Sequence, residues 1–176
     1  MKRYLLAFII FAVLPGVVSS GWARDVKLGY IDSERILGEF EDSKEAQSKL
    51  AEENREWETQ AGSMKQQLED LETQLKQQEL LLSEEKKTEK LSELQSLYLK
   101  FQQFQQEVWG QNGKLFLRNL ELTRPVVEKI NAAIAIIGDE DGYDFIFDAT
   151  QGNLVHAKAE YDITDRVLEY LKKEGK

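Results

Sequence analysis

The stretch WETQAGSMKQQLEDLETQLKQQELLL, residues 57–82, carries the clearest structural pattern in this sequence. Steps of three and four residues along it find apolar side chains at every position except Gln78, namely Trp57, Ala61, Met64, Leu68, Leu71, Leu75 and Leu82. This spacing is a heptad seam, and it predicts an α-helix that packs against a neighbour along one narrow stripe. The register continues back to Phe40. A helix from Ser33 to Leu82 would be roughly 75 Å long, so we expect it to protrude from any compact body.

A second apolar pattern follows in residues 91–120. One stripe has helical spacing and comprises Leu91, Leu94, Tyr98, Phe101, Val108 and Leu115. Further bulky residues fall outside that stripe, namely Leu97, Leu99, Phe104, Trp109, Phe116, Leu117 and Leu120. One neighbouring helix cannot cover both sets. Either several copies of the chain pack together and bury the extra residues, or some of them stay exposed as a surface for apolar partners.

Short strands are predicted on both sides of the helical middle. Residues 26–31 have the period of two of a strand, and residues 143–148 repeat it after the helix-stopping sequence GDEDG at 138–142. Residues 154–157 are a candidate third strand, and a short closing helix follows with Ile163, Val167, Leu168 and Leu171 facing inward. Strands this short need one another, so the helical zone is expected to fold back as a hairpin rather than run as one rod. We place its tip near residues 83–87, where neither Gly nor Pro marks a turn.

The predicted fold class is therefore α+β and mostly α: a long antiparallel coiled-coil hairpin on a small β body. We assign residues 33–137 to the hairpin and residues 24–32 and 138–176 to the body, which includes the closing helix. Because a body this small has no disulfide or metal to reinforce it, we expect it to oligomerise. The residues that we expect in this oligomeric body are Leu28, Tyr30, Phe145, Phe147 and Val155.

Two glycines suggest how the hairpin could move. Gly62 and Gly110 lie symmetrically about residue 86, so a hairpin that turns there would set them roughly opposite each other. Each costs about 1 kcal/mol relative to alanine inside a helix. We predict a hinge halfway along the arms; the alternative is that the glycines are tolerated weak positions or close-packing sites.

Composition excludes most catalytic classes. The chain has 176 residues, no cysteine and a single histidine, His156, so thiolate metal sites, cysteine nucleophiles and a two-histidine zinc site are absent. The segment from Gly110 to Lys114 has too few residues between its glycines for a phosphate loop, and the acidic run at 139–141 lacks a calcium-loop pattern. We therefore predict no enzymatic activity, no cofactor and no metal.

The N-terminal residues 1–23 have the pattern of a secretory signal peptide. Lys2 and Arg3 precede an apolar run from Tyr4 to Leu14, and small residues lead to a cleavage site near Ala23. Without this segment the chain has 21 basic and 32 acidic residues, a net charge of −11, so nucleic acid is not an expected partner. Export without cysteine is typical of a bacterial periplasm.

These features together resemble the Skp/OmpH family of periplasmic chaperones. The specific portions are the two ends of the mature chain, LGYID at 28–32 and GYDFIFDA at 142–149 with DITDRVL at 162–168, and the long helical hairpin lies between them. The resemblance implies an ATP-independent holdase, a homotrimer with a shared barrel and helical arms around a cavity that shelters unfolded outer membrane proteins. In contrast to the basic arms of well-known members, residues 41–95 hold 8 basic and 15 acidic groups, so we carry over no lipid site and leave membrane contact open.

Two functions follow as hypotheses, a client-binding chaperone and a structural coiled-coil spacer or tether of the cell envelope. A holdase needs apolar residues exposed on its arms, whereas a spacer should bury them. Residues 96–137 are slightly basic as well as aromatic, so we expect the second helix to supply most of the inner surface. The predicted client-binding residues are Leu97, Leu99, Phe101, Phe104, Trp109 and Phe116.

Overall fold

The computed structural model describes residues 25–78, 80–152 and 154–174. The predicted signal peptide at 1–23 lies outside these residues. The elements in chain order are β1 (Leu28–Ile31), α1 (Ser33–Glu39), α2 (Glu41–Gln78), α3 (Glu84–Trp109), α4 (Lys114–Asp141), β2 (Phe145–Asp148) and α5 (Thr164–Glu174). Two short 3₁₀ turns, Ala149–Gln151 and Ala159–Tyr161, connect β2 to α5. The prediction of a mostly helical α+β chain is confirmed.

The two strands pair although the whole helical zone separates them in sequence. β1 and β2 are parallel, with Leu28 opposite Phe145 and Tyr30 opposite Phe147. The other edge of β1 meets the start of α5, where Ile163 N–H donates to the Tyr30 carbonyl at 2.9 Å. This pairing requires the chain to return to its starting point, and it confirms the hairpin over the single rod.

The arm of the molecule is the antiparallel pair α2 and α3, continued by the first half of α4, which also packs against α2. Leu68 and Leu71 are buried in the predicted seam of α2, which packs against α3. The reversal lies between Gln78 and Glu84, earlier than the predicted tip at 83–87. The Ser83 hydroxyl caps α3 by accepting from Lys86 N–H at 3.3 Å, so residues 84–87 already form its first turn.

Both halves of the helical zone are interrupted. The first is broken at Phe40, whose extended backbone separates α1 from α2 and whose side chain is buried in the body. The second is broken at residues 110–113, between α3 and α4. α4 then runs past Gly138 to Asp141 and ends at Gly142, which adopts the left-handed conformation (φ 71°) common at helix C-termini.

The core of the body lies where α1, the second half of α4 and α5 pack under the sheet. Ile36, Ile137 and Val167 are fully buried at its centre. The inward side of β1 carries Gly29 and Ile31, and Ile146 lies on the inward side of β2. Leu28 and Phe145 consequently point away from this core.

The predicted third strand at 154–157 is not formed in the described chain, and that prediction is wrong for the isolated molecule. One edge of β1 is taken by β2, and the other contacts Asp162 beside Tyr30. After β2 the chain turns at once into the 3₁₀ turn capped by Asp148. Residues 154–158 lie beside β1 without joining its ladder.

In the part of the chain that the structure describes, every helix is too short or too polar to cross a membrane.

Candidate functional site

Apolar side chains remain exposed along α3 and the first half of α4. Among the predicted client-binding residues, Leu99 is 56% exposed and Phe116 is 48% exposed. The other four, Leu97, Phe101, Phe104 and Trp109, are partly buried. The neighbouring helix α2 therefore buries more of the apolar side chains of α3 than the sequence pattern predicts. Some apolar side chains still remain in solvent, at intervals along the arm.

The exposed apolar residues at the hairpin turn were not predicted from the sequence. Leu80 is 97% exposed and Leu81 is 85% exposed, directly before the Ser83 cap of α3. A signal was present in the sequence, because three consecutive leucines end at Leu82 and only Leu82 fits the heptad seam.

A second apolar surface covers the outer side of the sheet. Leu28, Phe145 and Phe147 are each 43% exposed or more, and the two phenylalanine rings stack with their centroids 6.3 Å apart. Tyr30, opposite Phe147, is half-buried on the same side. Val155, also predicted in the oligomeric body, is 96% exposed in the segment that follows the sheet. In parallel pairing, alternate residues of both strands share one side, which is why these side chains collect on a single face.

Comparison with known proteins assigns the family. The profile of the family described as outer membrane protein (OmpH-like) matches residues 27–171, which include the whole sheet and both arm helices. The chain belongs to the OmpH-like family. A comparison with curated proteins yields no match. A crystal structure of a protein described as an OmpH-like outer membrane chaperone, from Caulobacter crescentus CB15, superposes with a TM-score of 0.75 at 15% identity, covering 85% of this chain and 86% of that one.

The break between α3 and α4 is the main irregularity in the arm of this OmpH-like chain. Asn112 is left-handed (φ 57°) within it. A Cβ atom on Gly110 would lie 2.2 Å from the Gln106 carbonyl oxygen, and one on Gly113 would lie 2.5 Å from that of Val108. Glycine is therefore required at both positions for this path of the chain.

Two adjacent residues of α2 hold the ends of the helices on either side of the break. Trp109 at the end of α3 donates its indole N–H to Asn54 Oδ1 at 2.9 Å. Arg118 in the first turns of α4 binds both carboxylate oxygens of Glu53. Hydrogen bonds to Glu53 and Glu121 raise the pKa of Arg118 above its ordinary value.

The predicted pair of glycines is not opposed across the arm. Trp109 lies beside Asn54, so Gly110 is about two helical turns away from Gly62 along α2. The symmetry prediction failed because the turn comes before residue 86. Gly62 has open space where a Cβ would lie, and a hinge at these positions stays a prediction.

The described residues contain no group of three or more histidine, cysteine, aspartate or glutamate side chains placed to hold a metal ion. His156 lines an apolar depression beside β1 with Leu28, Tyr30 and Phe147. The OmpH-like chain therefore presents two surfaces for recognition: the exposed apolar groups of the arm and the outer face of the sheet.

Proposed function

We propose that this protein is an ATP-independent periplasmic holdase that binds unfolded outer membrane proteins between its helical arms and prevents their aggregation. The observation that carries the proposal is the set of apolar side chains left in solvent on the arm of an OmpH-like chain, with Leu99 and Phe116 about half exposed. No chemistry is needed for this function. The crystallised relative from Caulobacter crescentus CB15 is itself described as an outer membrane chaperone, which supports the same role.

The exposed arm residues favour a holdase over a structural spacer. A coiled-coil spacer gains stability from burying its apolar residues, and exposing them invites aggregation. A client that alternates apolar and polar residues, as membrane barrel strands do, offers matching apolar groups when it is unfolded. Binding through several separated contacts is then weak at each site and independent of client sequence.

The outer face of the sheet supports self-association. Phe145 and Phe147 are stacked in solvent beside Leu28, and a two-stranded sheet has little stability of its own. We propose that these faces pack together in a homotrimer, so that the arms surround a shared cavity.

Substituting Phe147→Asp should dissociate the assembly, whereas Phe116→Asp on the arm should leave its mass unchanged.

An aggregation assay tests the proposal. A urea-unfolded outer membrane barrel protein is diluted into buffer with the mature chain and without nucleotide, and light scattering is followed. The holdase predicts suppressed scattering for several unrelated barrel clients. Unimpeded aggregation of all of them would favour the structural coiled coil instead.

A further inference from the structure

Between residues 91 and 106 the solvent side of α3 is almost free of charge, although the arm as a whole is acidic. Residues 41–95 hold 8 basic and 15 acidic groups, whereas residues 91–106 contain only Glu93 and Lys100. Seven exposed residues, spaced three and four apart and placed opposite the buried side of α3, form what we call the amide face: Ser92, Gln95, Ser96, Leu99, Gln102, Gln103 and Gln106.

Charged side chains are confined to one flank of this face. Glu93, Lys100 and Glu107 follow one another at intervals of seven residues, so they form a separate line along the helix. Shallow depressions run along the amide face itself. One is lined by Leu99, Gln102, Gln103 and Gln106, with Trp109 at its end. Another is lined by Ser92, Gln95 and Ser96, with Lys100 of the charged flank at its side.

The glutamine side chains have unused hydrogen-bonding capacity. Within the described residues, the side-chain amides of Gln95 and Gln106 have no hydrogen-bond partner. Gln102 uses one N–H on the Tyr98 hydroxyl at 2.8 Å, and Gln103 uses one on Glu107 at 2.9 Å. Each of these amides keeps a carbonyl acceptor and at least one donor for an incoming molecule.

We propose that the amide face recognises the unpaired backbone N–H and C=O groups of an extended client segment, an inference that rests on the proposed holdase function. A glutamine amide has the same donor and acceptor as a peptide group, so it can pair with any backbone whatever its side chains. Unfolded barrel strands present such backbone groups without partners. From Ser92 to Gln106 the face is about 21 Å long, enough for about six extended residues.

The distribution of charge supports this occupant. A neutral face repels neither acidic nor basic client segments, in contrast to the acidic surface of α2. Leu99 is the one large apolar residue of the amide face, and Trp109 borders it at its C-terminal end. The serine and glutamine side chains that make up the rest of the face can all hydrogen-bond to a peptide backbone.

Methionine substitution separates backbone recognition from apolar recognition. Methionine matches glutamine in length, charge and helix propensity but cannot pair with a peptide group. The variant carries Gln95→Met, Gln102→Met, Gln103→Met and Gln106→Met. The matched control carries Gln60→Met, Gln67→Met, Gln74→Met and Gln77→Met on the exposed surface of α2.

The readout is the dissociation constant for a urea-unfolded outer membrane barrel protein, with helicity and assembly mass recorded for each variant. We expect the α3 variant to bind about tenfold more weakly and the α2 control to bind within about twofold of the wild type, as the loss of one or two net hydrogen bonds predicts. Equal or tighter binding by the α3 variant, or equal weakening by both variants, would overturn the inference. If the α3 variant loses helicity, the double variant Gln95→Met, Gln103→Met provides the same comparison. Failure of the wild type to bind would instead contradict the proposed function.

Discussion

At the scale of single residues, Thr164 joins the first strand to the last helix. It is fully buried, and its hydroxyl accepts from Asp32 N–H at 2.9 Å while donating to Asp162. Substituting Thr164→Val keeps the shape and leaves the Asp32 N–H without this acceptor. We expect the free energy of unfolding to fall by about 1–3 kcal/mol in urea titrations at fixed protein concentration.

Thr59 provides the control for this substitution. Its hydroxyl is exposed on α2 and donates to the Arg55 carbonyl at 2.8 Å. Thr59→Val should change stability by less than about 0.5 kcal/mol, because no buried group loses a partner. Equal effects of the two substitutions would show that the buried hydroxyl has no special role.

Asp148 makes the body sensitive to acid. Partial burial raises its pKa, but hydrogen bonds from Ser33 and Thr150 outweigh burial and lower the pKa below its ordinary value. A carboxylate with a lowered pKa stabilises the folded state above its unfolded pKa, and this contribution is lost as the pH falls through the folded value. Asp148→Asn should therefore be less stable than the wild type at pH 7, by about 1 kcal/mol.

The difference between Asp148→Asn and the wild type should begin to shrink as the pH falls below about 4, the ordinary pKa of an unfolded aspartate. It should disappear once the pH is below the lowered pKa of the folded carboxylate. Urea titrations at a series of pH values measure it. Asp139→Asn, at an exposed position near the end of α4, serves as the control. A stability difference for Asp148→Asn that does not change with pH would contradict the assigned role of its charge.

At the scale of elements, the break at residues 110–113 is where we expect the arm to bend. The hinge at Gly62 is tested by Gly62→Ala, which has open space for its methyl group and should narrow the spread of spin-label distances between arms. An unchanged distribution would rule out a hinge at Gly62. The two single substitutions should have opposite effects on the stability of the arm. Gly62→Ala has open space and should stabilise α2 by up to about 1 kcal/mol, whereas Gly110→Ala must displace the Gln106 carbonyl and should destabilise the arm.

The helices of the arm also differ in their expected contact with clients. Photo-crosslinkers placed at Leu99, Phe104 and Phe116 should capture more unfolded client than crosslinkers at Glu52 and Glu69 on α2. The reason is that α3 and α4 expose the apolar groups and α2 exposes mainly charged ones. Equal yields at the two sets of positions would contradict the assignment of the inner surface to the second half of the hairpin.

Local sequence patterns predicted the seam of α2 and both strands because these depend on periodicity alone. The break at Phe40 was not predicted, since it has no Gly or Pro and depends on burial of the Phe40 side chain in the body. The pattern of β1 was recognised, but the side facing the core of its own chain carries Gly29 and Ile31 rather than Leu28 and Tyr30. The apolar side chains at Leu28 and Phe145 are compatible with burial against another chain, which a single-chain pattern cannot identify.

At the scale of the whole molecule, the two apolar surfaces have separate places. The outer face of the sheet lies on the body, and the exposed groups of α3 lie on the arm that leaves it. Separate surfaces allow the body to assemble while the arms remain free to bind clients. This division requires assembly and client binding in one particle.

Native mass spectrometry of the mature chain mixed with a urea-unfolded outer membrane barrel protein measures assembly and client binding together. We expect a trimer that takes up one client molecule, and a Phe147→Asp variant that appears as monomers and loses the client complex. A monomeric wild type, or a stable assembly that takes up no client, would contradict it.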